Sequence, residues 1–255
     1  MSGTLNAIRQ VLDTFDPISL QQMDGVKLLD RVDTKFMFRD THLPSLLEAM
    51  KSDYFLLEVS GHRYSHYETL YFDTEDFGLY VQHHNGRLNR YKFRSRRYVE
   101  SDLNFFEVKF KNNKGRTVKE RIKRPSIPMT LEGKPSDLVR AASPVDPDSL
   151  RPAIWVNYIR LTFVSKSSQE RLTVDIDLNF SEGAKRHAYE GLVIAEVKQG
   201  SGIQRSQFIS LMNKRRIREK SISKYCLGVI TLHPEVKQNR FKPSLSYLNK
   251  LLQTS

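Results

Sequence analysis

Residues 90–98 read Arg90-Tyr91-Lys92-Phe93-Arg94-Ser95-Arg96-Arg97-Tyr98. Cations stand at 90, 92, 94 and 96, with Tyr91 and Phe93 between them. Charge at every second position marks a β-strand with one polar and one apolar face, because successive side chains point to opposite sides. The pattern recurs in Arg31-x-Asp33-x-Lys35, Glu107-x-Lys109-x-Lys111, Lys119-x-Arg121-x-Lys123, Tyr158-x-Arg160, Arg171-x-Thr173-x-Asp175-x-Asp177 and Glu196-x-Lys198. Any one such segment is most simply a sheet face kept soluble by charge. Solvated faces mix signs, however, and 90–96 holds four cations without an acid. Neighbours two apart lie roughly 7 Å from each other. At an effective dielectric of about 20 that spacing repels by about 2 kcal/mol per pair. Several such strands closed into a barrel would make a basic tunnel suited to a polyanion.

The rest of the 255-residue chain fits this picture. Its length suits one large domain, 1–255, and no internal cut is drawn. Apolar residues make up 39% and charged ones 27%, so polar groups must fill some interior volume. The net charge of +12 points to an anionic partner: phosphate compounds, nucleic acid or an acidic membrane face. A single cysteine, Cys226, excludes an internal disulfide and suits a reducing compartment. No apolar run approaches a membrane span, and the opening MSGTLNAIRQVLDTFD lacks a signal-peptide layout, so a cytoplasmic location is expected.

Apolar spacing predicts helices over 4–15, after Thr41 with Leu43, Leu46, Leu47 and Met50 inward, and over 204–219. The Asn112 to Gly115 turn predicts a hairpin of 103–111 with 116–124. The proline-rich stretch 125–152 reads as irregular with a short helix near 136–142, and strands are expected at 153–165, 170–180 and 192–199. At least seven strands with few helices give an α+β fold built on a mainly antiparallel barrel.

In order, Arg31-Val-Asp-Thr-Lys35, Leu70-Tyr-Phe-Asp-Thr74, Arg90 to Tyr98, Phe106-Glu-Val-Lys109, Lys119, Tyr158-Ile-Arg160, Arg171 to Asp175, Glu196-Val-Lys198 and Ser223-Lys-Tyr225 form a specific set. On these residues, over about 20–230, the chain resembles the vacuolar transporter chaperone polyphosphate polymerases of the triphosphate tunnel metalloenzyme superfamily. The resemblance implies an eight-stranded antiparallel β tunnel with flanking helices. It implies ATP-dependent lengthening of polyphosphate with manganese or magnesium as cofactor. It assigns phosphate contacts to Lys35, Arg94, Arg96, Lys109, Lys119, Arg160, Arg171, Lys198, Ser223 and Lys224, and a metal to Glu196. Arg94, Arg96, Lys109, Arg160, Arg171 and Glu196 would surround the reacting phosphate. Arg90 and Lys92 share that face by parity, and Asp175 and Asp177 would pair with tunnel arginines or hold metal through water.

The superfamily's opening Glu-x-Glu-x-Lys is here Arg31-x-Asp33-x-Lys35, nearer the polymerases than the hydrolases. The sensing domain and membrane helices of the fungal polymerases have no counterpart in this sequence, so a separate membrane protein would have to supply any translocation. Hydrolysis of triphosphates and non-catalytic polyphosphate binding are the competing readings; nucleic acid is not an expected partner. His62, His66, His83 and His84 read as strand or turn residues, not as a metal site. Gly200-Ser-Gly202 reads as a turn, Lys214 to Lys220 as one solvated helical face, and Trp155 and Cys226 as packed interior residues.

Overall fold

The computed structural model describes residues 3–24, 31–200, 206–220 and 222–253. The first elements are α1 (Gly3–Asp13), β1 (Pro17–Ile18), α2 (Leu20–Asp24), β2 (Arg31–Arg39), α3 (Leu43–Met50), β3 (Tyr54–Leu57), β4 (Ser65–Asp73) and α4 (Gly78–His84). Next come β5 (Arg90–Tyr98), β6 (Leu103–Lys111), β7 (Thr117–Arg124), α5 (Lys134–Ala142), β8 (Arg151–Ser165), β9 (Glu170–Glu182) and β10 (Lys185–Ala188). The chain continues through β11 (Leu192–Gly200), α6 (Gln207–Lys214), α7 (Lys224–Leu232) and α8 (Lys242–Gln253).

Eight strands form an antiparallel path in the order β2-β11-β9-β8-β4-β5-β6-β7, with β1, β3 and β10 attached beside it. This is the expected α+β tunnel architecture, with helices flanking the sheet. Among the described residues β2 and β7 are not paired with each other. The outer edge of β2 instead meets residues 219–220: Phe36 bridges Glu219, and the Lys220 N–H donates to the Lys35 carbonyl at 2.8 Å.

Alternation decides which face each side chain takes. Phe36 and Phe38 of β2, Leu172, Val174 and Ile176 of β9, and Val193, Ala195 and Val197 of β11 face outward beneath α1, α3 and α6. Leu70, Phe72, Phe93, Phe106 and Val108 face outward around Val139 of α5. Burying one such side chain contributes about 1.5–3 kcal/mol, so these outer clusters hold the sheet against its own inner charge. Inside, Met37, Val156, Leu178, Phe180 and Ile194 pack against α7. A Cβ on Gly228 would lie 2.5 Å from Ile154 Cδ1 and 2.7 Å from Phe180 Cδ1, so only glycine lets α7 seat so closely. Trp155 is half-buried against the α5 cluster, and Cys226 is fully buried in α7.

Several expectations need correction. Asp175 and Asp177 do not continue one row: the β8–β9 register steps from Ile159–Ile176 to Asn157–Asn179, a bulge with Asp177 at φ 56°. Beyond it the phase inverts, so Leu178 and Phe180 turn inward after Val174 and Ile176 have turned outward. The basic run is not a helical face. The helix ends at Lys214, Arg216 takes φ 57°, and the chain turns back along β2. The Gly200–Gly202 turn and the first residues of the helix expected from 204 fall largely outside the described residues, although Ser206 Oγ caps α6 by accepting from the Ile209 N–H at 3.1 Å. His83 and His84 lie in a helix, α4, whose start is fixed by Asp73 accepting from the Leu79 and Tyr80 N–H groups.

Candidate active site

The inner face carries the charge, and three carboxylates organise it. Glu107, fully buried on β6, accepts from Arg94 Nε at 2.6 Å and pairs with Lys119 of β7. Arg94 also donates to the Tyr71 hydroxyl at 3.3 Å. Asp175 of β9, equally enclosed, takes Arg160 through Nε and Nη2 at 2.6 and 2.7 Å, and Lys224 Nζ at 2.5 Å. Glu196 of β11 differs. Its nearest cations, Lys35 across the strand pair and Lys198 on its own strand, stand at 3.7 and 4.0 Å. Arg171 faces Lys198 across β9–β11.

Aromatic rings back the cations. Arg96 donates to Thr69 Oγ1 at 3.2 Å and lies 5.0 Å from the Tyr67 ring centre. Arg160 and Lys224 lie 5.2 and 4.9 Å from that of Tyr158, itself stacked on Tyr67. Ser223 caps α7 and accepts from Lys92 Nζ at 2.9 Å. Arg90 starts β5 and donates to the Arg87 carbonyl at 3.2 Å.

Strands from both ends of the path meet here. Lys109 of β6 lies close enough to Lys35 of β2 and Glu196 of β11 for their charges to act on it, so the sheet is curled into a bore. Burial and the charges of Arg94, Lys92 and Lys35 push the Lys109 ammonium down to about 7, against a smaller upward pull from Glu196. Lys109 has no ion-pair or hydrogen-bond partner among the described residues. Burial alone would raise the carboxyls. Arg94, Arg96 and Lys119 instead hold Glu107 down at about 2, and Lys198, Lys35, Arg160 and Lys224 do the same for Glu196.

A family profile described as the VTC domain matches residues 30–233, a span that contains every residue above. The chain belongs to the VTC domain family. No curated protein sequence matches it. Its fold is similar to that of a candidate adenylate cyclase from Vibrio parahaemolyticus, 13% identical over 79% of this chain and 99% of that one, at a TM-score of 0.48. A candidate adenylyl cyclase from Hippeastrum, described as having a dominant triphosphatase activity, is 12% identical over 77% of this chain and 94% of that one, also at 0.48. Likeness at this level says nothing about the reaction.

In this VTC domain the bore gathers Lys35, Lys92, Arg94, Arg96, Lys109, Lys119, Arg160, Arg171, Glu196, Lys198, Ser223 and Lys224, with Arg90 at its rim. Sequence reading missed Tyr67, Thr69 and Tyr71, whose alternation along β4 was there to be read but carried no charge to draw notice.

Lys109 makes the bore sensitive to pH. It loses its proton as pH rises through about 7, whereas a bound anion draws the proton back. Tripolyphosphate affinity is therefore expected to fall from pH about 6 to about 9, with net proton uptake on binding above about 7. Titration calorimetry in buffers of differing ionisation enthalpy measures this, and Lys109→Arg should abolish most of the uptake.

Proposed function

We propose that this VTC domain is a polyphosphate polymerase that transfers the terminal phosphoryl group of ATP to a polyphosphate chain. The observation that supports this most directly is the enclosed Lys109, without an ion-pair or hydrogen-bond partner among the described residues and under the charges of Lys35, Lys92 and Arg94: a cation excess inside a bore, which a bound anion relieves. Phosphoryl transfer asks little covalent chemistry of a protein, so positioning and charge stabilisation carry the rate. Arg94, Arg96, Arg160 and Arg171 suit equatorial phosphate oxygens through their planar forks, and Lys35, Lys109, Lys119, Lys198 and Lys224 act as point charges. Ser223 offers a hydroxyl at the start of α7.

A terminal oxygen of the acceptor chain attacks the γ-phosphorus, the bond to the β–γ bridging oxygen breaks, and ADP leaves. Among the described residues no three His, Cys, Asp or Glu side chains cluster as a metal cage. Glu107 and Asp175 are each held by two cations, whereas among the described residues Lys35 and Lys198 stand 3.7 and 4.0 Å from Glu196 Oε1, beyond hydrogen-bond reach. That donor set fits magnesium or manganese held by one carboxylate together with substrate phosphates. Such an ion would neutralise charge on the phosphate oxygens.

Incubating the protein with ATP and manganese tests the reading. Long polyphosphate with ADP is the expected product. Orthophosphate alone would mean a triphosphatase, and thermal stabilisation by tripolyphosphate without turnover would mean a binding module. Among the described residues no helix is long and apolar enough to cross a membrane.

A further inference from the structure

The β9–β11 register places Thr173 directly opposite Glu196, and the β2–β11 register places Lys35 on the other side of that carboxylate. Leu172 and Val174 are buried outward, so Thr173 between them faces inward with Glu196. Directly opposed residues of an antiparallel pair have Cβ atoms about 4.5–5.5 Å apart. Rotation of the glutamate side chain alone can close that span to a hydrogen bond.

Thr173 is 4% exposed, and its Oγ1 is shut off from solvent with no hydrogen-bond partner among the described residues. A buried hydroxyl without a partner is rare and calls for an explanation. Glu196 has the matching lack. Both neighbouring lysines approach its Oε1, at 3.7 and 4.0 Å, and among the described residues neither of its oxygens accepts a hydrogen bond. Thr173 therefore lacks an acceptor and Glu196 lacks a donor, at one level of the same inner face.

Threonine here has two properties that lysine lacks. Its β-branched side chain has few rotamers, so the hydroxyl is held still. It is also uncharged, so it can steady a carboxylate without neutralising it or competing with a bound cation. Carboxylates that hold metal ions are themselves hydrogen-bonded, and those outer partners orient the ligating oxygens.

We propose that Thr173 is a positioning residue for Glu196: its hydroxyl donates to one carboxylate oxygen and leaves the other for a divalent ion. The role rests on the reading of Glu196 as the carboxylate that holds that ion.

Manganese titration of the full chain, preloaded with one equivalent of tripolyphosphate and followed by the electron paramagnetic resonance of the free ion, tests it. Thr173→Val keeps the shape and removes the hydroxyl, and should weaken manganese binding about tenfold. Thr173→Ser restores the hydroxyl and should bring the affinity back to within about twofold of the parent. Calorimetric affinity for tripolyphosphate without manganese should stay within about twofold in both variants. Unchanged manganese affinity in Thr173→Val, a serine variant as weak as the valine one, or an equal loss of metal-free tripolyphosphate binding would overturn the role. If Glu196→Gln leaves manganese affinity unchanged, the metal reading of Glu196 falls and the role of Thr173 falls with it. A parent protein that makes no polyphosphate, yet loses manganese selectively in the valine variant, would sink the polymerase reading and leave the role of Thr173 standing.

Discussion

Asp175→Asn is expected to lower the unfolding free energy by about 3–5 kcal/mol, the usual consequence of removing one partner of a buried ion pair. The carboxylate is 2% exposed and is held by Arg160 and Lys224 at once. The amide would keep the shape of the site but leave two enclosed cations without a counter-charge. For a chain of this size the loss corresponds to a fall in Tm of roughly 10 °C, measurable by calorimetry or urea unfolding. Tripolyphosphate should return part of it, about 2.7 kcal/mol at a hundredfold excess over Kd, because phosphate oxygens replace the missing carboxylate. A variant as stable as the parent would show that Arg160 and Lys224 need no partner. The same logic fixes the acid limit. Glu107 and Glu196 are held at about 2, below their unfolded value, so the stability they contribute is complete above about 4.5 and is lost as pH falls towards 2.

Glu196→Gln should have its larger effect on chemistry, and on the fold it removes the stability that this carboxylate contributes through its neighbouring cations. Turnover is expected to fall by about 100-fold or more, since the carboxylate proposed to hold the divalent ion is gone. Tripolyphosphate affinity should hold or rise, because a negative charge has left a site built for anions. Steady-state rates with ATP and manganese, set beside calorimetric affinities in their absence, separate the two. Full activity in the variant would remove Glu196 from the chemistry, and a parallel loss of binding would make it a positioning group for Lys35 and Lys198 instead.

The strands were legible because alternation is a local property. Arg90 to Tyr98 takes its pleat from its own residues, and burying Phe93 outward commits Lys92 and Arg94 inward. The 103–111 hairpin was legible for the same reason, with a turn at Asn112 to Gly115 to set its register. The helices α4 and α7 were not. Residues 78–84 carry too few turns for a periodic signal, and α7 is apolar nearly all round because it is buried, so it shows no face. The bulge at Asp177 was equally hidden, since the flanking alternation reads through it unbroken.

From its own order of residues, then, this VTC domain determines a set of two-faced strands and the sign of charge on one face. What each charge does was decided only in three dimensions. Whether a lysine is neutralised depends on which carboxylate the neighbouring register delivers, and that differs between Arg94, opposite Glu107, and Lys92, opposite Lys109. The curl that brings Lys109 within range of the Lys35 charge joins residues far apart in the chain, and no local spacing contains it. Coulomb energy depends on distance through space, whereas alternation reports only direction from the backbone.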